Sequence, residues 1–153
     1  MYEQLYHILP EVAMKETRSV VFTNENHFGI TPGEYGLVEL YCTDAKCDCK
    51  RVCFKIMSAT IQDAVATIYY GWGSLDYYTD WFNMGRNTLH EMDEYDQESV
   101  YNMHGFHICE LSPQTEIARP MLKFLEAYIR DNEDYANRLK QHYKLVRAKV
   151  EEC

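Results

Sequence analysis

Residues 35–58 read YGLVELYC (35–42), TDAKCDC (43–49) and KRVCFKIMS (50–58). The first and last of these segments are rich in β-branched and aromatic residues, which favour strands. In the last, apolar residues at positions 52, 54 and 56 alternate with polar or small ones, as the period of two of a strand requires. The seven residues between them are short enough for a hairpin tip. The stretch therefore predicts two antiparallel strands joined by a turn that carries cysteines.

The segments on either side of this hairpin complete an α+β pattern. SVVFT (19–23), AVATIYYGW (64–72) and FHICEL (106–111) predict further strands, and YEQLYHILPEVAMK (2–15) predicts a short helix interrupted by Pro10. Ser74 is placed to cap the helix SLDYYTDWF, whereas the acidic residues 83–106 predict an irregular excursion with one short helix. Apolar residues at helical spacing predict two C-terminal helices, with Pro120 in a first turn and a break at 131–134. We therefore expect a β-meander of three to four antiparallel strands packed against C-terminal helices.

Length and composition place the chain among globular proteins of one domain. It has 153 residues, 46% of them hydrophobic and 25% charged, and we find no internal boundary within 1–153. No apolar run reaches the roughly 20 residues that span a bilayer, and the N-terminal residues lack the pattern of a signal peptide. These features predict a cytoplasmic protein that does not enter a membrane.

Charge and aromatic content bear on the partners. The net charge of −9 opposes binding to a nucleic acid, although the segment from Arg138 to Lys149 carries five bases and no acid. We interpret that basic segment as a solvated helix face. The 13 Tyr, 6 Phe and 2 Trp favour contacts with a protein partner or self-association, because aromatic residues fill interfaces as well as cores.

The cysteines give the strongest functional signal. Four of the six lie within twelve residues, and Cys42, Cys47 and Cys49 have the spacing C-x4-C-x-C across the hairpin tip. In a reducing compartment clustered cysteines bind metal more often than they form disulfides. Three thiolates favour Zn²⁺ over Fe²⁺. Three free thiols or a redox pair formed by Cys47 and Cys49 remain as alternatives.

A tetrahedral site needs a fourth ligand, for which the sequence offers three candidates. His142 lies on the apolar stripe of the last helix, where a histidine is ordinarily a hydrogen-bonded core residue. His107 with Cys109 is the second candidate. Cys53 lies four residues beyond Cys49, about 13 Å along a strand, which is too far to share an ion. We therefore predict His142 as the fourth ligand, and we expect Cys53, Cys109 and Cys153 to be dispensable for metal.

Several segments together resemble an uncharacterised family of small bacterial proteins. They are GEYGLVELYC-TDAKCDC-KRV, YGWGSLDYY-TDW, LSPQTE and RLKQHYKL, and the resemblance covers residues 15–147. Its specific parts are the YC-x-D-x-x-CDC motif and the late RLK-x-HY motif. The resemblance implies a zinc-binding site at Cys42, Cys47, Cys49 and His142. It does not imply any particular biochemical activity.

These observations lead to three hypotheses of different classes. The first is a binding or scaffold protein stabilised by structural zinc. The second is an enzyme, either a zinc-dependent hydrolase or a thiol oxidoreductase that uses the Cys42, Cys47 and Cys49 cluster. The chain lacks H-E-x-x-H, G-x-S-x-G and Gly-rich phosphate motifs, so we rank the enzyme second. A nucleic-acid binder that uses the last helix comes third.

Overall fold

The computed structural model describes residues 1–24, 26–83 and 88–152. In these residues an antiparallel sheet is formed by six strands: β1 (Tyr2–Gln4), β2 (Arg18–Phe22), β3 (Gly33–Cys42), β4 (Arg51–Ser58), β5 (Asp63–Gly71) and β6 (Gly105–Ile108). The helices are α1 (Leu5–Ile8), α2 (Pro10–Glu16), α3 (Leu75–Asn83), α4 (Glu94–Met103), α5 (Ala118–Asp131) and α6 (Glu133–Glu151). The predicted α+β class and the hairpin that carries the cysteines are confirmed.

The sheet is larger than the meander of three to four strands that the sequence predicts. Strands β3, β4 and β5 form that meander, and β6 adds to the free edge of β5. On the other side, β1 pairs with residues 40–42 of β3, while β2 pairs with residues 33–37 of the same strand. The three-residue β1 lies inside the segment predicted to be helical, and its partner on β3 accounts for its extended conformation.

The other sequence predictions agree with the helices. Pro10 is the first residue of α2 and Pro120 is in the first turn of α5, where the absent amide hydrogen has no helical partner. The Ser74 hydroxyl accepts a hydrogen bond from the Tyr77 amide at 3.0 Å, as an N-cap does. Helix α4 lies in the predicted excursion, of which residues 84–87 fall outside the described residues. The predicted break at 131–134 is only Asn132.

The main core lies between one face of the sheet and the C-terminal helices. Side chains at alternate positions of β3, from Tyr35 to Tyr41, are buried and point to the same face. They belong to one apolar cluster with Phe54, Ile56 and Ile68 of the neighbouring strands and with residues of α5 and α6, namely Met121, Leu125, Leu139 and Val146. Glu39 shares this inward face and is 1% exposed. The fold therefore buries a carboxylate in the core opposite α6.

Candidate metal centre

The β3–β4 loop, residues 43–50, brings three cysteines together. The sulfur atoms of Cys42, Cys47 and Cys49 all lie within 4.8 Å of one another. The sulfurs of a tetrahedral zinc site are ~3.8 Å apart, because each zinc–sulfur bond is about 2.3 Å. A contraction of about 1 Å would therefore bring all three sulfurs onto one ion. The cluster that the spacing predicts is present, and it can hold a metal ion.

Local hydrogen bonds shape the loop. The Cys47 amide donates to the carbonyl of Asp44 at 3.0 Å, which closes a turn immediately after β3. The Asp44 carboxylate accepts from the Lys46 amide at 3.0 Å and fixes that turn from within. Lys50 has a φ of 50°, and this left-handed residue redirects the chain into β4. The sequence TDAKCDCK therefore reverses the chain in the way that three converging thiols require.

Helices α3 and α6 hold the loop from outside. The Arg147 guanidinium donates to the backbone carbonyls of Cys42, Asp44 and Cys47. The Tyr143 hydroxyl donates to the Asp48 carboxylate at 2.8 Å. From α3, the Tyr78 hydroxyl donates to the Cys49 carbonyl at 2.8 Å. The backbone around all three sulfurs is therefore tied to two helices.

The thiol of Cys47 lies in a setting that disfavours its thiolate. Cys42 and Cys49 are buried and Cys47 is half-buried. Burial and the neighbouring sulfurs of Cys49 and Cys42 raise the pKa of Cys47 to about 12. The Tyr2 hydroxyl lies 3.7 Å from the sulfur of Cys49. A bound divalent ion would reverse this preference, because it deprotonates a coordinating thiol.

The structure places His142 in a carboxylate pair rather than in the cysteine group. Its Nδ1 lies 2.7 Å from Glu39 and its Nε2 lies 3.1 Å from Glu16, so both nitrogens have partners. Glu39 is on the helix-facing side of β3, whereas strand alternation directs Cys42 to the other side. Ligation by His142 would require one of these hydrogen bonds to break. The fourth ligand predicted from the sequence therefore stays a prediction, and no further Cys, His, Asp or Glu of the described residues joins the group.

His107 and Cys109, the alternative candidates for the fourth ligand, lie at the opposite edge of the sheet. His107 is in β6, and Cys109 follows that strand, so both are three strands from β3, about 14 Å away. The Cys109 sulfur accepts a hydrogen bond from the Ser112 hydroxyl at 3.5 Å. Burial raises its pKa, but hydrogen bonds from Ser112, Leu111 and Tyr69 outweigh burial and lower it. The structure does not bring this pair to the cysteine cluster.

The remaining cysteines differ from the cluster in setting. Cys53 is buried opposite Tyr69 on β5 and lies outside the group of three sulfurs. Burial, with a smaller contribution from Cys109, raises the pKa of Cys53 to about 12. Its position agrees with the sequence argument that it is too far along β4 to share the ion. Cys153 lies outside the described residues.

Comparisons with protein families, curated proteins and solved structures gave no match for this chain. Within the described part of the chain, no helix has the length and apolar character to cross a membrane. Evidence on function therefore comes from the site itself.

Sequence reasoning missed the residues that support the cluster. Arg147 and Tyr143 are on the last helix, and their signal was an aromatic residue and a base one and five residues after His142. Glu39 had a clearer signal, because an acid in the alternating series Tyr35, Leu37, Glu39 and Tyr41 occupies an inward position. A buried carboxylate needs a hydrogen-bonding or charged partner to offset its loss of solvation, and here that partner is His142.

Proposed function

We propose that the protein is a binding or scaffold protein stabilised by one structural zinc ion at Cys42, Cys47 and Cys49. The observation that supports this proposal is the convergence of the three sulfurs within 4.8 Å on a loop whose backbone is held by two helices. Zinc at this position joins the end of β3 to the start of β4. Such a site contributes directly to folding, because the unfolded chain has no preformed site.

Zinc suits these residues better than the alternatives. Thiolates are soft ligands that bind zinc and iron–sulfur clusters. Hard ions such as Mg²⁺ and Ca²⁺ prefer oxygen ligands instead. A redox pair would need an attacking thiol with a low pKa; burial and the neighbouring sulfurs instead raise the pKa of Cys47 to about 12, so Cys47 is not suited to that role.

Elemental analysis of the purified protein, made without added metal, tests the proposal. We expect about one zinc per chain, and we expect Cys42→Ser, Cys47→Ser and Cys49→Ser each to lose most of it. Cys109→Ser is the matched control, because this cysteine is also half-buried but lies across the sheet. A parent protein without zinc, or equal zinc in the Cys47→Ser variant, would contradict the proposal.

One observation favours a zinc-dependent hydrolase as a second candidate. Structural zinc sites have four protein ligands, whereas catalytic sites have three and a water, and the described residues supply three. Cys47 also lines an open cavity. X-ray absorption at the zinc edge distinguishes the candidates, because a fourth imidazole ligand adds outer-shell scattering that a water does not. Three sulfurs with one oxygen and no imidazole would favour the hydrolase over the scaffold.

A further inference from the structure

Beside the cysteine cluster, a cavity of about 850 Å³ opens between the β3–β4 loop, the start of α3 and one face of α6. Its lining contains five cationic side chains, namely Lys46, Lys50, Lys140, Lys144 and Arg147. The whole chain has 15 Lys and Arg residues and a net charge of −9. One third of the cations of an acidic protein therefore line one cavity.

The two faces of α6 explain how this concentration arises. Leu139, His142 and Val146 lie on the face that is buried against the sheet. Lys140, Lys144 and Arg147 recur at spacings of four and three residues and share a different face of the helix. The basic segment interpreted from the sequence as a solvated helix face therefore faces a concave site.

No ion pair among the described residues neutralises the cations of the cavity. The ion pairs of the described residues involve Arg130, Arg138 and His142, and none of the five cavity cations. Arg147 binds neutral carbonyl groups, and its Nε is buried without a hydrogen-bond partner. The ammonium of Lys50 lies 4.0 Å from the centre of the Tyr77 ring. Charges of one sign in a concave site strengthen one another's potential.

Two acidic residues also line the cavity, but they do not balance its charge. The Asp48 carboxylate accepts a hydrogen bond from the Tyr143 hydroxyl, and Glu151 is at the last turn of α6. Gly73 and Ser74 line the cavity immediately before α3, so the positive end of that helix dipole adds to the five cations. The lining therefore carries a net positive charge, which favours an anionic ligand.

We propose that this cavity binds a small molecule that carries a phosphate group, through the lysines of α6 and of the β3–β4 loop. A phosphate concentrates charge on several oxygens, and several separate cations can therefore bind it at once. The volume is in the range of pockets for small molecules. An extended polyanion such as a nucleic acid is disfavoured, because the remaining surface of the protein is strongly acidic. The proposal holds whichever metal occupies the cysteines.

Calorimetric titration of the full-length protein at low ionic strength tests the proposal, with ADP and adenosine as probes. ADP should bind and adenosine should not, because the phosphates supply the recognised charge. The double variant Lys140→Glu/Lys144→Glu should lower the affinity for ADP by about 100-fold, since it removes two charged hydrogen-bond donors. Lys15→Glu/Lys123→Glu is the matched control. It makes the same change in net charge at exposed positions of α2 and α5 and should keep the parent affinity within about twofold.

The thermal melting of each variant is measured beside its affinity. If Lys140→Glu/Lys144→Glu melts below the parent, Lys140→Gln/Lys144→Gln replaces it and should still weaken the binding of ADP. The proposal is wrong if ADP does not bind at millimolar concentration, if adenosine binds equally well, or if the control variant loses as much affinity. The zinc content of the same samples shows separately whether the cysteine site is intact.

Discussion

The imidazole of His142 lies 2.7 Å from the carboxylate of Glu39, in the core of the protein. The two residues are 0% and 1% exposed, and they join α6 to β3 across 103 positions of sequence. The same oxygen of Glu39 accepts a hydrogen bond from the Tyr41 hydroxyl at 2.5 Å. On its other side, His142 lies 3.1 Å from Glu16, the last residue of α2. This buried pair therefore orients the helix that also holds the cysteine loop.

The first prediction is that His142 makes stability depend on pH. Burial of the ring lowers its pKa, but the hydrogen bonds and charges of Glu39 and Glu16 outweigh burial and raise the pKa above 6.5. A raised pKa stabilises the folded state fully at pH values below the unfolded pKa, and this contribution is lost as pH rises through the folded pKa. The advantage of the parent over His142→Gln should therefore be largest below about pH 6.5 and shrink above it.

Urea unfolding of both proteins, with a chelator present throughout, measures this advantage at each pH. The chelator removes any contribution of metal to the free energy of unfolding. A difference between the two proteins that stays constant with pH, or widens as pH rises, would contradict the raised pKa.

The second prediction concerns the carboxylate itself. Glu39→Ala removes the short hydrogen bond from the Tyr41 hydroxyl, leaving it only the longer one to the Leu139 carbonyl, and leaves one nitrogen of buried His142 without a partner, so we expect a loss of about 3 kcal/mol in the free energy of unfolding. Glu34→Ala is the control on the same strand, because Glu34 is exposed, and it should change stability by less than about 0.5 kcal/mol. Equal effects of the two substitutions in urea unfolding would show that Glu39 has no special role.

Local patterns were enough to predict the fold class and the hairpin. The alternation in residues 50–58 and the turn TDAKCDC depend on neighbours in sequence, and the predicted strands there agree with β3 and β4 to within two residues. The short β1 could not be found in this way, because its extended conformation depends on pairing with residues 40–42 of β3. Such pairing is a tertiary effect that local propensity does not contain.

The cysteine cluster was predictable because its three residues lie within a single eight-residue segment, 42–49, that forms one turn. The position of His142 was not, because it depends on which face of β3 the last helix covers. Glu39 and Tyr41 point to that face, and Cys42, one residue later, points to the other. A difference of one residue along β3 thus decides whether the side chain that faces His142 is a carboxylate or a thiol. Apolar spacing on α6 correctly predicted that His142 is buried, but it could not predict which face of β3 the helix covers.

The third prediction is that Arg147 supports metal binding without touching the ion. Its guanidinium donates to three loop carbonyls, including those of Cys42 and Cys47. Arg147→Ala should therefore lower the affinity for zinc by about tenfold, as the loss of an outer-shell partner does, and leave the zinc stoichiometry at saturation unchanged. Competition with a chromophoric chelator measures this affinity. The control is Arg130→Ala on α5, an exposed arginine whose ion pair is with its neighbour Asp131, and a similar loss there would remove the specific role of Arg147.

The last prediction distinguishes the two interpretations of His142. From its contacts we expect His142→Gln to destabilise the protein and yet keep about one zinc per chain, because both ring nitrogens already bind carboxylates. The sequence argument and the family resemblance predict the opposite, a loss of zinc affinity together with stability. The melting temperature of His142→Gln with and without chelator distinguishes the two interpretations. If His142 is a ligand, the variant should no longer respond to chelator; if it is a core residue, the variant should respond as the parent does. His90→Gln is the control, because His90 is in the short helical turn Leu89–Glu91 and is not part of the cysteine group. A loss of the chelator response in His142→Gln alone would make His142 the fourth ligand and would require that it leave Glu39 or Glu16 when zinc binds.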